Sequence, residues 1–370
     1  MRTLVLVGGG HAHIEVLRRF ALAPEPDLDL VLVNPGRWAA YSGMLPGLVA
    51  GFYGFEECHV DLAWLAARAC ARLLGQRVRR MAADARELEL DDGTRLGWDL
   101  LSLDVGSTPP TDGLAGAAEA VARGQLLAIK PVDEFLAAWN ELAARDPEGL
   151  DIAVVGGGAG GVETVLAMRT RLGPRARLSL VFDAVMPLAS HPPRAQRLMA
   201  GILAQRGISL HAGTRINGIE PGALVAADGR RIAAGHAVWA TGAGAQPWLR
   251  EGGLAVDEAG FVKVITALCS SSHSGVFATG DCASFLPRKL AKAGVYAVRQ
   301  GPLLAENLRH ALNGEPLAQW WPQSDFLTLI GTGDGSALAT RGPLAAHGRW
   351  AWRWKQSIDR RFVRRYARGA

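Results

Sequence analysis

Residues 7–15 read VGGGHAHIE and residues 155–163 read VGGGAGGVE, so one glycine-rich turn recurs 148 positions later. Each turn follows a short apolar run, RTLVLV (2–7) and LDIAVVG (150–156), and each opens a segment with helical spacing. A second apolar run closes each unit, LDLVLVN (28–34) and ARLSLVF (176–182). Glycines at such a strand-to-helix turn let backbone amides approach a phosphate, which sits at the positive end of the helix dipole. A chain that does this twice is constrained to two parallel α/β units.

The segments beyond the two units are alike as well. RRMAADARELELDDGTRLGWDLLSLDVGS carries a hairpin turn at 91–93, and AADGRRIAAGHAVWATG (226–242) has the same hairpin-then-strand ending. The plan is an internal duplication of roughly 100-residue units. Helices are expected at 61–74 and 133–145. The run SGVFATGDCASF (274–285) reads as a buried strand ending in Gly-Asp, and the last 45 residues as irregular and Trp-rich.

The two loops are not identical. In the second, Gly156, Gly158 and Gly161 fill all three fingerprint positions, with Ala159 and Gly160 between them. In the first, Gly8 and Gly10 keep the tight turn and the close approach, His11 and Ala12 follow, and His13 takes the third glycine's place. Either the helix stands slightly farther from the sheet to admit the ring, or the imidazole adds a donor near the phosphates. The residue ending the second strand usually grips a ribose through an acid. Here it is Asn34, followed by Pro35 and Arg37; in the second copy it is Phe182 or Asp183, depending on a one-residue register. An acid there favours NADH over NADPH by repelling a 2′-phosphate.

Bulk properties exclude several alternatives. The net charge of +5 is uneven: residues 349–370 hold eight basic side chains against Asp359, a net +7, which leaves −2 for the rest. The body is therefore no nucleic-acid binder. Cys58, Cys70, Cys269 and Cys282 show no C-x-x-C and suit a reducing compartment. No metal-ligand cluster stands out. The N-terminus has no signal-peptide pattern, and no window has 18 uncharged apolar residues, so a cytoplasmic chain without a spanning helix is expected.

GVFATGD (275–281) and VWATG (238–242), with the two loops, resemble the two-dinucleotide-binding-domain flavoproteins of the pyridine nucleotide-disulfide oxidoreductase superfamily. GGGHAHIEVL, YSGMLPGLVAG (41–51), LLSLDVGSTP (100–109), AGVYAVRQGPLLAENL (293–308) and FLTLIGTGDGSALATRG (326–342) resemble, more narrowly, the flavin oxidoreductase found fused to selenide, water dikinase. Type II NADH dehydrogenases are similar at a greater distance. The resemblance implies an α/β fold of two Rossmann-like domains, the second inserted in the first. An FAD-binding domain would occupy 1–110 and 246–320, an NAD(P)H-binding domain 111–245, and a C-terminal region 321–370.

The resemblance implies site residues too. Asp281, after Gly280, would hold the FAD ribityl hydroxyls. Ser42, Gly43, Met44, Gly106 and Ser107 would line the flavin, Gly242 the nicotinamide cofactor, and Gly294, Val295 and Tyr296 the flavin ring. Glu163 would stand beside the nicotinamide–flavin contact, and Lys292 would stabilise an anionic reduced ring. The family's redox-active cysteine pair has no counterpart in PGRWAAYSGMLPGL (35–48). Electrons would then pass from NAD(P)H through FAD to a quinone or other small acceptor. The alternative is an accessory, redox-sensing flavoprotein working through a partner in selenium metabolism.

The basic tail, GRWAWRWKQSIDRRFVRRY (348–366), has two readings. On a helix, Trp350, Trp354, Ile358, Phe362 and Tyr366 form a slowly drifting apolar stripe flanked by arginines, suited to an anionic membrane surface. The alternation of Trp350, Trp352 and Trp354 fits a strand packed on the flavin domain or at a homodimer contact, and this packing is the favoured expectation.

Overall fold

A computed structural model describes residues 1–111 and 113–368. The chain builds two parallel five-stranded sheets. Along the first sheet the strands run Val276–Ala278, Leu100–Leu103, Arg2–Val7, Leu28–Val33 and Arg72–Leu74. The order in the second is Leu126–Ala128, His236–Trp239, Asp151–Val155, Arg177–Val181 and Ser209–His211. Because Val276–Ala278 pairs with Leu100–Leu103 only after the second sheet is complete, the second domain is inserted in the first. Both are doubly wound α/β units of the Rossmann type.

The central strands are apolar along their buried length because helices cover both sheet faces. Leu4, Val5 and Leu6 are fully buried, as are Ile152, Ala153 and Val154. Each unit also carries a three-stranded antiparallel sheet, Val78–Ala82, Glu87–Leu90 and Arg95–Gly97 in the first, with the hairpin turn where DDG places it. Ile216–Glu220, Ala223–Ala226 and Arg231–Ala233 are its counterpart in the second.

Pairing registers make the duplication residue-by-residue. Val7 pairs with Val33 and Leu103, as Val155 pairs with Val181 and Trp239. Asn34 therefore corresponds to Phe182, not Asp183, and Asp104 corresponds to Ala240. Their backbones agree: Asp104 N donates to Val7 O and Ala240 N to Val155 O, both at 2.9 Å.

Two sequence expectations change. The helix expected over 61–74 ends at Arg68; Cys70 turns to positive φ, and Arg72–Leu74 becomes an edge strand. The strand expected to end in Gly-Asp is present as Val276–Ala278, closed by a 3-10 turn at Gly280–Cys282 and followed by the short strand Ala283–Phe285. The last 45 residues are ordered, as strands Thr328–Gly331, Ala337–Arg341 and Leu344–Gly348, then helix Arg349–Arg364.

That helix overturns the strand reading of WAWRW. Successive i+4 positions on a 3.6-residue helix drift by about 40° each. The stripe consequently rotates from solvent into the protein along its length. Trp350, Trp354 and Ile358 are 50%, 47% and 44% exposed, whereas Phe362 and Tyr366 are buried. The packed side is Ala351, Lys355, Asp359, Phe362 and Val363.

Candidate functional site

A cavity of about 800 Å³ opens between the two sheets at the carboxyl ends of their strands. In doubly wound folds this is where ligands bind. Ser42, Ser107, Gly156, Gly158, Gly160, Glu163, Asp183, Gly242, Asp281 and Lys292 all line it. These positions are far apart in sequence, so the topology brings together most of the second-copy residues and the flavin-motif acid.

The loops are built for close approach. Gly8 has φ +92° and Gly156 φ +131°, and a Cβ on either would land on the carbonyl of its paired strand end, Asp104 or Ala240. Gly158, by contrast, has nothing within 4 Å of an added Cβ, because that side faces the open cavity. Gly161 packs on Gly156 O, and Ala159 starts the helix Ala159–Leu172. Thr241 also lines the cavity, and its buried hydroxyl has no partner among the described residues. An orphan donor beside free loop amides is what a polar phosphate-bearing ligand would satisfy.

His13 offers no donor to a phosphate, because its ring lies between the loop helix and the strand that carries Ser102. Its ring is fully buried; Nδ1 lies 2.7 Å from Gly8 O and Nε2 2.8 Å from Ser102 Oγ. Burial pushes its pKa down to about 4, against the bond to Gly8 O. A neutral imidazole that donates from Nδ1 accepts from Ser102 at Nε2, so no donor remains for a phosphate. In the second copy Gly161 packs against the equivalent carbonyl; the histidine replaces that contact with hydrogen bonds.

Other first-loop groups are also engaged within the protein. Asn34 Oδ1 accepts from Gly9 N at 2.8 Å and its Nδ2 donates to Gly36 O at 2.7 Å, so its amide braces the loop rather than reaching for a ribose. The Arg37 guanidinium forks onto Asp61 at 2.8 and 3.1 Å. Pro35 extends the same turn. Ala12 N donates to Asp104 Oδ2 at 2.8 Å. His11 sits at the helix start, 3.4 Å from Ser42 Oγ, beside the rings of Tyr41 and Phe362, and burial lowers its pKa.

The flavin-motif acid has a partner that sequence reading missed. Lys130 Nζ lies 3.1 Å from Asp281 Oδ2 and 3.3 Å from Ser107 Oγ, and Ser107 donates to the same carboxylate. Gly280 N is held by Gln300 at 2.8 Å. Lys292 donates to Ala283 O at 2.7 Å and stands 3.6 Å above the Phe261 ring; burial lowers its pKa. Gly294 begins the helix Gly294–Asn313, facing Ser42 and His11. Val295 is half-buried beside it. Tyr296 turns inward and packs edge-on against Trp320 and Phe326. Met44 is buried and Gly106 is an unhindered positive-φ turn.

Glu163 accepts from Gly331 N at 2.6 Å. Burial lifts its pKa to about 7, against the pull of the Lys355 ammonium and the Gly331 amide. Lys355 was not singled out by sequence, yet it is buried, donating to Gly43 O at 2.6 Å and Asp359 Oδ2 at 2.9 Å. Burial opposes its charge, but Glu163 and Asp359 outweigh that and raise its pKa. A chain of ionisable groups thus leads from the second loop helix to the C-terminal helix.

The cysteines are free. Burial pushes the Cys58 and Cys282 thiols up to about 12 and Cys269 to about 11, which disfavours the thiolate form in all three.

A family model described as pyridine nucleotide-disulphide oxidoreductase matches residues 2–301. A type II NADH:quinone oxidoreductase of Staphylococcus aureus (strain NCTC 8325 / PS 47) is 23% identical over 390 residues, covering 98% of this chain and 95% of that protein. Among solved structures, the sulfide:quinone oxidoreductase of Aquifex aeolicus aligns with TM-score 0.80 at 17% identity, over 99% of this chain and 91% of that one. NDH2 from Plasmodium falciparum in complex with NADH aligns with TM-score 0.80 at 12% identity, over 99% and 97%. At these identities the likeness to the solved structures is one of fold.

Proposed function

The chain belongs to the pyridine nucleotide-disulphide oxidoreductase family, and from that premise we propose that it oxidises NADH with FAD and passes the electrons to a quinone, without a redox-active disulfide. The observation that carries this is the cavity joining the second glycine loop to Asp281 and Glu163, with no cysteine among its lining residues. Bound flavin supplies the redox chemistry; the protein supplies binding, orientation and electrostatics.

The roles follow from placement. The Gly156–Gly161 turn offers its amides to the nicotinamide cofactor's phosphates. Asp183 lines the same cavity two residues past the end of strand Arg177–Val181, and its charge disfavours a 2′-phosphate, hence NADH over NADPH. Lys130 and Ser107 fix the Asp281 carboxylate for flavin hydroxyls. Glu163, with its raised pKa, holds a proton near neutrality, and Lys355 beside it keeps the site electrostatically balanced. The S. aureus relative is named for NADH and quinone, which supports that donor and acceptor.

The tail extends the reading. Among the described residues no helix is long and apolar enough to cross a membrane. Trp350, Trp354 and Ile358 nevertheless share one exposed face, and Arg353, Arg360, Arg361, Arg364 and Arg365 are exposed around it. This pattern suits peripheral contact with an anionic bilayer, where a quinone would dissolve.

The test is anaerobic reduction by NADH followed by reoxidation against quinones, oxygen, ferricyanide and selenium compounds, in wild type and in a variant with all four cysteines replaced by serine. Rapid quinone turnover in both supports the reading. Flavin reduction without turnover, or loss of reduction in the cysteine-free protein with FAD retained, overturns it.

A further inference from the structure

Asp104 sets the first loop apart from the second. The equivalent position in the second copy is Ala240, whose methyl group carries no charge. Asp104 is 3% exposed, and its Oδ2 accepts from Ala12 N at 2.8 Å and His13 N at 3.3 Å, capping the helix His11–Leu22 from another strand. A Cβ on Gly10 would land on this carboxylate, and one on Gly280 would lie 2.6 Å from Oδ1. The acid is thus wedged between the two turns that would clasp a flavin dinucleotide. It has no ion-pair partner among the described residues.

We propose that Asp104 makes dinucleotide binding at the first loop proton-coupled: its carboxyl takes up one proton from solvent as the loop accepts the pyrophosphate. This rests on the FAD reading. The positive end of one helix would otherwise face the carboxylate and the pyrophosphate charges together, in a buried place where like charges repel strongly. An un-ionised carboxyl still accepts from the Ala12 and His13 amides, so uptake leaves the cap intact.

The surroundings favour Asp104 as the proton's destination. Before any ligand arrives, burial already raises its pKa to about 6, against His11 and the two amides, with Asp281 adding to the rise. The groups facing it are His11 from the loop helix, and Asp281 and Cys282 from the turn after Val276–Ala278. Asp281 is held by Lys130. His13 is committed to Gly8 and Ser102. His11 is the competing acceptor. The second loop, lacking a carboxylate at Ala240, should bind its nucleotide without this proton.

The experiment is calorimetric titration of the flavin-stripped full chain with FAD at pH 7 and 8, in two buffers of different ionisation enthalpy. Wild type is expected to take up about one proton per FAD, and its Kd to rise about tenfold from pH 7 to pH 8. Asp104→Asn should abolish the uptake and flatten the Kd, while His11→Gln keeps both. Absence of uptake in wild type overturns the inference whatever the variants do, as does uptake that persists in Asp104→Asn or disappears in His11→Gln. FAD binding without uptake leaves the flavin reading standing; failure to bind FAD at any pH overturns both.

Discussion

The Tyr366 hydroxyl donates to Glu15 Oε2 at 2.9 Å, joining positions 351 apart in the chain. Glu15 occupies the place in the first loop helix that Glu163 occupies in the second. Glu163 in turn is held by Gly331 N, and Lys355 reaches Gly43 O. The C-terminal region therefore grips both copies of the duplicated plan at the same point, and the tail helix is part of the first domain's core.

A chain ending at His347 should accordingly lose more than a surface tail. It removes Phe362, Val363 and Tyr366 from the core, a loss on the order of 5 kcal/mol or more by the cost of truncating buried aromatics. A marked fall in Tm and in bound flavin absorbance is expected. Wild-type Tm and flavin content in the shortened chain would show that the tail does not brace the domain.

Membrane contact is better probed on the exposed face alone. Replacing Trp350, Trp354 and Ile358 by serine removes partly exposed apolar groups while leaving the buried face in place. Sedimentation with anionic liposomes at low salt should drop by roughly tenfold or more, given transfer energies near 1 kcal/mol or above per large side chain. Flavin content should not change. Wild type that stays in the supernatant at low salt would remove the membrane from the reading.

The glycines of the two loops should respond differently to enlargement. Gly158→Val points into open cavity, so FAD and fold should survive while KM for NADH rises roughly tenfold or more, the signature of lost cofactor binding. Gly10→Val meets the Asp104 carboxylate and should cost flavin and stability instead. Equal effects of both variants on flavin content would contradict this division, read by absorbance spectra and NADH titration.

Much of this architecture was legible in the chain because a repeated strand–glycine–helix unit leaves few topologies. The limits of Arg2–Val7 and Leu28–Val33 follow from apolar runs bounded by turn residues. What sequence could not give were partnerships made through space. Lys130 has no motif around it, and only the fold sets it on Asp281. Lys355 reads as one cation of a basic tail until helix phase buries it. Asp104 was passed over as well, although the sequence held a signal for it, a charge closing an apolar strand in LLSLDVGSTP. His13 was visible as an anomaly, but its two bonds depend on Ser102, 89 positions away.

Glu163 carries the last prediction. In the folded protein its pKa is raised to about 7, from an ordinary 4.5. Between those values the folded state binds the proton that the unfolded chain has released, so stability falls as pH rises through this window. Below pH 4.5 both states are protonated and the penalty is absent; above pH 7 it is fully present. Glu163→Gln keeps an acceptor for Gly331 N and removes the titration. Its Tm relative to wild type should therefore improve progressively from pH 5 to pH 8. If Glu163 also holds a proton during turnover, the wild-type kcat/KM profile should bend near pH 7, and the bend should be missing in Glu163→Gln. A Tm difference independent of pH would show that the carboxyl titrates normally, and a retained bend would assign the kinetic ionisation to another group.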